Sequence, residues 1–410
     1  MRWKFTSTAA TLQSMADARR AFPVPGAGKP PRDARLDFFR GLALWLIFLD
    51  HVPTNIVNSF TLRNYGFSDA AELFVFISGY TAALVYGRAM RERGFVAAGF
   101  RVLKRAWQLY VAHIFLFVIF VAEIAYVSRT FENPLFSEEM NILEFLQQPH
   151  ETLFQAILLK FKPANMDILP VYIVLLIGFP PLLWLLLRAP TLALMCSVAL
   201  YALSHAFAWN LPAYPSGHWI INPLCWQLIF VFGAWCALHG AKRLTYAVRS
   251  PVVLTLAAAY LVFAFAIVMS WYIHPLANYV PRWLSEFIHP IDKINLDVLR
   301  FAHFIALAIL AVRFVPADWR ALKSPLLRPV ILCGQNSLEI FCLGVFLSFT
   351  GHFVLVEISG SMEMQILISV IGIAIMSATA SLIAWYEVVE ARRASPREQA
   401  LDADIAGGQV

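Results

Sequence analysis

Arg35-Leu-Asp-Phe-Phe-Arg40-Gly-Leu-Ala-Leu-Trp-Leu-Ile-Phe-Leu-Asp50-His51-Val-Pro53 decides how this chain is read. It is an apolar run with charges where a lipid-facing helix should have none. Arg40 and His51 are eleven residues apart, which on a helix leaves them roughly 20° from one face and about 16 Å apart along the axis. Asp37 sits one turn before Arg40 on nearly the same stripe, and Asp50 precedes His51. Pro53 lacks the N–H that would bond Leu49, so the helix is expected to kink or end near Val52. Ionisable residues inside a membrane segment are expensive, so such a pair marks a functional site by default.

The surrounding chain supports a membrane setting. Of its 410 residues, 60% are hydrophobic and only 14% charged, against about 45–50% apolar in soluble domains. Mean hydropathy is +0.65. The apolar runs are long rather than alternating, so the expected fold is all-α, a polytopic membrane helical bundle. The net charge of +6 comes from basic residues lying between apolar runs, which argues against a nucleic-acid partner. Cys196, Cys225, Cys236, Cys333 and Cys342 are odd in number, lie in apolar stretches and lack metal-ligand spacing, so they read as packing residues. Residues 1–34 are basic and lack a continuous apolar core; they read as a flexible cytoplasmic tail with no cleavable signal.

About ten apolar runs can be marked, near 37–58, 69–89, 106–127, 167–187, 191–209, 221–239, 251–273, 297–315, 329–350 and 364–386, each close to the ~20 residues needed to cross. Counted on alternate sides of these runs, lysine and arginine collect on one side, from Arg19 and Arg20 through Arg88–Arg105 to Arg392 and Arg393, while the other has Arg63, Arg129, Lys160, Lys162, Arg282 and Lys293. This asymmetry places both termini in the cytoplasm and makes the helix count even. The bundle then spans 35–390, with a second cytoplasmic tail over 391–410. Residues 128–166 mix Glu132, Glu138, Glu139, Glu144 and Glu151 with Phe136, Ile142, Phe145 and Leu153, the pattern of amphipathic helices on the outer face. Residues 274–296 are expected to help roof an outward cavity.

Several further residues are candidates, each with a plainer explanation beside it. Glu72 enters the second helix from the outer side toward His51, where a carboxylate would fix an imidazole tautomer; Asp69 or Glu72 simply favouring a helix N-terminus is an even alternative. Ser78-Gly79 lets another helix come close. Arg101, Lys104 and Arg105 share one face and suit a phosphate-bearing ligand, although topogenic charge explains them as well. Asp167 opens the fourth run and either caps it or faces the cavity. Gln227, Gln335, Asn336 and Glu339 place polar groups in apolar runs, with bonding between helices as the bland reading. Glu339 is expected about 12–15 Å deep if its helix begins near residue 330. The remaining histidines have no partner at a telling spacing, and no nucleophile elbow, phosphate loop or zinc signature is present.

An arginine, ten residues, then a histidine in a first membrane helix is similar to the pattern of the acyltransferase-3 superfamily. The blocks Leu36-Asp-Phe-Phe-Arg40-Gly, Asp50-His51-Val-Pro, Ala71-Glu-Leu-Phe-Val-Phe-Ile-Ser78-Gly79, Asp167-Ile-Leu-Pro170 and Gly334-Gln-Asn-Ser-Leu-Glu339 resemble its OpgC branch over about residues 35–390. That resemblance implies succinylation of osmoregulated periplasmic glucans in the bacterial inner membrane. It also implies His51 as the essential base or acyl-handling residue, with Arg40 on the same helix, and Arg101 and Arg105 toward acyl-CoA. Some relatives carry an appended outer esterase-like domain, and none is expected here.

The resulting expectation is an O-acyltransferase. Arg101, Lys104 and Arg105, with Arg40, would hold acyl-CoA (succinyl-CoA) as donor substrate, with no permanently bound cofactor. His51, oriented by Asp50 or Glu72, would take a proton from a sugar hydroxyl; a transient acyl-histidine is the alternative. Ser78, Asp167, Gln227 and Glu339 would line the substrate cavity. Membrane lipids, the periplasmic glucan and glucan-synthesis proteins are the expected partners. A transporter of a sugar-linked lipid or organic anion, using Arg40, Asp50, His51 and Glu72 as a relay, stays open, and acyl-CoA consumption separates the two. A non-catalytic scaffold is the third reading and predicts a silent His51 substitution.

Overall fold

Prolines and capping side chains set where the apolar runs of this chain start and stop. The computed structural model describes residues 33–407. Apart from Asp33 and Ala34, the expected first tail lies outside the described residues, as do residues 408–410 of the second. Among the described residues the regular structure is helical, with one isolated bridge between Pro212 and His218.

Helix α1 spans Ala34–Asp50. It ends one residue before His51, whose N–H still donates to Ile47 O at 3.1 Å, so His51 keeps its place on the helical stripe. The apolar run marked to residue 58 therefore stops early. Pro53 breaks it, and two tight turns, Ile56–Phe60 and Leu62–Asn64, lead back to the next helix. Asp69 and Glu72 start that helix with a reciprocal capping box, which satisfies two orphan N–H groups. The helix continues through Thr130 apart from a kink at Gly94, where φ is +81°, a backbone state that costs glycine little. We number the two halves α2 (70–93) and α3 (95–130). The basic stretch between the second and third runs is thus mostly helical rather than a loop.

Three short helices follow, α4 (Leu135–Glu139), α5 (Leu143–Gln147) and α6 (Pro149–Ile157). They bury Phe136, Ile142 and Ala156 while Glu138 and Glu139 stay exposed, the amphipathic division read from the sequence. Then come α7 (Ile168–Arg188), α8 (Pro190–Ala206) and α9 (Pro223–Trp235), the last extended by a wider turn over Cys236–Gly240. The chain continues with α10 (Ala241–Arg249), α11 (Pro251–Tyr272), α12 (His274–Ala277), α13 (Arg282–Ile288) and α14 (Val298–Phe314). It closes with α15 (Arg328–Gln335), α16 (Ser337–Glu357) and α17 (Met362–Gly407). The run expected over 329–350 is broken at Asn336, whose backbone (φ −107°, ψ 45°) leaves the helical region. Among the described residues six helices are long and apolar enough to cross a membrane, counting Ala70–Thr130 as one.

The segment 70–130 packs against α7 and α9, α17 packs against α15 and α16, and α14 packs against α11. Two crossings are set by reciprocal glycines. A Cβ on Gly79 would strike the Phe230 carbonyl, and one on Gly233 the Phe76 carbonyl. Likewise Gly41 faces the Val330 carbonyl and Gly334 the Asp37 carbonyl. Small residues at such crossings let backbones touch where lipid offers no hydrophobic drive. The close approach expected at Ser78-Gly79 is therefore to α9. The second pair fixes α1 against α15 beside Arg40.

Candidate functional site

At the start of α1, Arg40 is half-buried by contacts with three elements. Its Nη2 donates to Thr81 Oγ1 at 2.9 Å and its Nη1 to Gly334 O at 3.4 Å. Asp37 lies 3.7 Å from Nη1 and accepts from Gln335 Nε2 at 3.2 Å. Thr81 in turn donates to Ile77 O, so Arg40 is held between α1, α2 and α15. Beside it opens a cavity of about 160 Å³. Arg40, Arg105, Ser78, Thr81, Tyr86 and Tyr172 supply its polar wall, and Phe74, Leu109, Leu169 and Phe341 its apolar one. Two guanidinium groups over an apolar slot suit an anion with an apolar extension.

His51 lies at the other end of α1. No side-chain hydrogen bond joins its imidazole to another described residue, while Asp50 accepts from Thr61 Oγ1 at 2.5 Å. Close by, four charges from two segments interlock. Arg300 Nε donates to Glu72 Oε1 at 2.7 Å and its Nη2 reaches Asp69 Oδ2 at 3.1 Å. Lys293 Nζ meets the same Asp69 oxygen at 2.6 Å. Glu72 has no exposed side-chain surface, and Arg300 only 10%. Buried ions persist only when paired in this way.

The structure brings some expected residues together and separates others. Arg40, Arg105 and Ser78 share the cavity. Arg101 and Lys104 are exposed and line no part of it; one helix face is wide enough for Arg105 alone to turn inward with Leu109. Glu72 is not poised on His51. Its Oε2 accepts from the Asp69 N–H at 2.9 Å and its Oε1 from Arg300, so the helix-start explanation describes it. Asp50 likewise turns to Thr61. Gln227 exchanges hydrogen bonds with Ser197, with the hydroxyl at 2.6 Å and the carbonyl at 2.8 Å; it joins α8 to α9 and is not part of the Arg40 cavity. Glu339 is exposed, because the break at Asn336 restarts the helix at Ser337 and leaves Glu339 in its first turn rather than deep in a span. Asp167 makes no side-chain cap and stands outside the cavity, with its Oδ1 buried and unbonded.

Local spacing assigns Arg300 no partner, although an arginine just inside an apolar run beginning at Asp297 is itself a signal for a buried acidic partner. His303 binds Ser68 Oγ at 2.7 Å and His352 binds Glu139 at 2.7 Å, neither pair being close in sequence. Lys162, in the connection ahead of α7, is buried and lies 3.9 Å from the Trp219 ring. Burial pushes its ammonium down to about 8, against the opposing attraction of Asp167.

The comparison with protein families matches the model described as OpgC protein over residues 32–388. The chain belongs to the OpgC family. The match covers every element from α1 to the apolar part of α17, so both ends of the α1 stripe lie inside it. A comparison with curated proteins gave no match. OpgC membership together with the long apolar helices points to a membrane protein and a transferase acting in the modification of osmoregulated periplasmic glucans.

Proposed function

We propose that this OpgC-family chain is a membrane O-acyltransferase of the acyltransferase-3 type, moving a succinyl group from cytosolic succinyl-CoA to hydroxyls of a periplasmic glucan. The carrying observation is that α1 presents Arg40 to a two-arginine cavity and leads at its far end to an imidazole that makes no side-chain hydrogen bond among the described residues. In this reading the chain crosses a bacterial inner membrane about ten times and keeps both termini in the cytoplasm. The short helices α1, α8 and α14, each of 17 residues, then count among the crossings.

Arg40 and Arg105 hold the CoA phosphates, while Arg101 and Lys104 add long-range attraction at the cytosolic surface. The pantetheine arm lies along the apolar wall of Phe74, Leu169 and Phe341 and covers the ~16 Å between Arg40 and His51. An imidazole nitrogen of His51 takes the proton of a sugar hydroxyl. The sugar oxygen attacks the thioester carbonyl, a C–O bond forms, and the C–S bond breaks. The departing thiolate recovers the proton from the imidazolium, so the ester and free CoA leave with no net proton change. Asp50 and Glu72 act here through their fields, each being bonded elsewhere. Glucan-synthesis proteins are the expected neighbours on the acceptor side.

The test compares periplasmic glucans from cells with the intact protein, without it, and with His51→Ala at equal expression. Acidic substituents should vanish with His51→Ala. Unchanged substitution would remove His51 from the chemistry, and glucans that never carry substituents would favour the transporter reading.

A further inference from the structure

The loop between α1 and α2 opens a second pocket of about 370 Å³, lined by Thr54, Asn55, Ile56, Asn58, Ser59, Asn64 and Gln365. Its chemistry differs from that of the Arg40 cavity. Among the described residues no charged side chain lines it, and six of the seven lining residues carry an amide or hydroxyl. The wall is stitched by its own bonds. Gln365 Oε1 accepts from Ile56 N at 2.6 Å, Asn55 Nδ2 donates to Ser369 Oγ at 2.8 Å, and Asn64 Nδ2 donates to Asn58 O at 2.7 Å. These bonds tie the loop to the start of α17 and preform the pocket. They leave Asn58 Nδ2 and Ser59 Oγ without a bonded partner among the described residues. Tyr272 donates to Asn64 Oδ1, on the pocket wall, at 2.6 Å, and Phe60, next in sequence to Ser59, is 76% exposed.

An uncharged pocket offers nothing to the phosphates of a CoA or a phospholipid. Unspent amide and hydroxyl groups beside exposed aromatic rings instead match a neutral polyhydroxyl ligand, whose hydroxyls need both donors and acceptors and whose ring faces are apolar. The pocket begins at Thr54, three residues after His51, and three residues of chain reach at most about 11 Å. A second tie runs through Thr61, which bonds Asp50 Oδ1 on one side and receives Asn64 Nδ2 at 3.3 Å on the other.

We propose that this pocket is the acceptor subsite, binding one or two uncharged glucosyl units so that a neighbouring hydroxyl reaches His51. The name acceptor rests on the acyl-transfer reading; the binding of a neutral glycan does not. The test uses the full chain in lipid nanodiscs and measures two affinities separately, for a labelled neutral gluco-oligosaccharide and for succinyl-CoA. Ser59→Trp, at an exposed rim position, fills the pocket and should weaken oligosaccharide binding more than tenfold. Asn58→Ala removes a hydrogen-bonding side chain and should weaken it by about three- to tenfold. Succinyl-CoA affinity should stay within twofold in both variants, and in turnover the glucan KM should rise while kcat holds. Equal oligosaccharide binding by wild type and Ser59→Trp overturns the proposal, as does a wild type that binds none. If thioester consumption fails but oligosaccharide binding is lost in the variants, the acyl-transfer reading falls and the glycan site stands.

Discussion

Arg300→Met tests whether the ion cluster near His51 is a support of the fold. Arg300 makes hydrogen bonds or ion pairs with Glu72 and with Asp69, and Glu72 is wholly buried. Methionine keeps much of the volume and removes the charge. Two carboxylates then share one lysine, and that lysine bonds Asp69 rather than Glu72. Stranding a buried charge in this way costs about 3–5 kcal/mol. At roughly 2 °C per kcal/mol for a large chain, the unfolding midpoint should fall by roughly 6–10 °C. Tryptophan fluorescence of the purified protein during a thermal ramp in detergent reads it. Two controls fix the cause. Glu72→Leu combined with Arg300→Met removes both charges and should recover most of the loss, because paired apolar replacement is often near neutral. Lys293→Met removes a half-exposed partner and should cost no more than about 1 kcal/mol. A double variant as unstable as Arg300→Met alone would refute the argument, since cavity or shape effects would then account for the loss.

Other perturbations separate the remaining parts. Arg40→Ala and Arg105→Ala should each raise the KM for acyl-CoA about 10–100-fold, the worth of a charged hydrogen bond, while Arg101→Ala stays within a fewfold; thioester consumption in membranes measures all three, and equal effects would dissolve the cavity assignment. Lys162 has a folded pKa of about 8 against an ordinary 10.5, so between those values the unfolded chain binds more protons and stability rises with pH. That rise reaches at most about 3 kcal/mol, and Lys162→Met should flatten it in melts taken across the same window; an identical slope in both proteins would count against the burial effect. Gly334→Val places a side chain onto the Asp37 carbonyl and should cost about 1–3 kcal/mol by overpacking, read as a lower melting midpoint, whereas Gly178→Ala meets open space and should be nearly silent.

The sequence revealed what local periodicity and composition control. The helical class, the Arg40-to-His51 stripe, the helix end near Pro53 and the close approach at Gly79 are all set within one or two turns of chain, and they stand in the structure. Residue partners set by distant chain were harder to read. Glu72 and Arg300 are 228 positions apart, so spacing on α2 alone could not tell an imidazole partner from an arginine partner. The same limit explains Gln227, whose partner Ser197 lies on another helix. Glu339 failed for a different reason. A depth counted from residue 330 assumes a continuous helix, and the irregular residue Asn336 resets the count.

These two kinds of information meet on α1. It carries unlike chemistry toward its two ends, guanidinium groups over an apolar slot at Arg40 and, at His51, an imidazole with no side-chain hydrogen bond among the described residues, three residues ahead of a neutral amide-lined pocket. Neither end is built from α1 alone. Thr81 and Gly334 hold Arg40, while Thr61 holds Asp50. The Arg40 end is further fixed by the Gly41–Gly334 crossing, where backbone touches backbone and leaves no slack for a sliding helix. A donor with an anionic head and a reactive end about 16 Å away fits such a rigid ruler, because the helix, rather than a moving loop, sets the separation between where the head is held and where the acyl group reacts. On that argument, lengthening α1 by a full turn between Arg40 and His51 should abolish transfer while sparing acyl-CoA binding, and an inserted variant with intact turnover would show that a mobile segment, not α1, sets the reach.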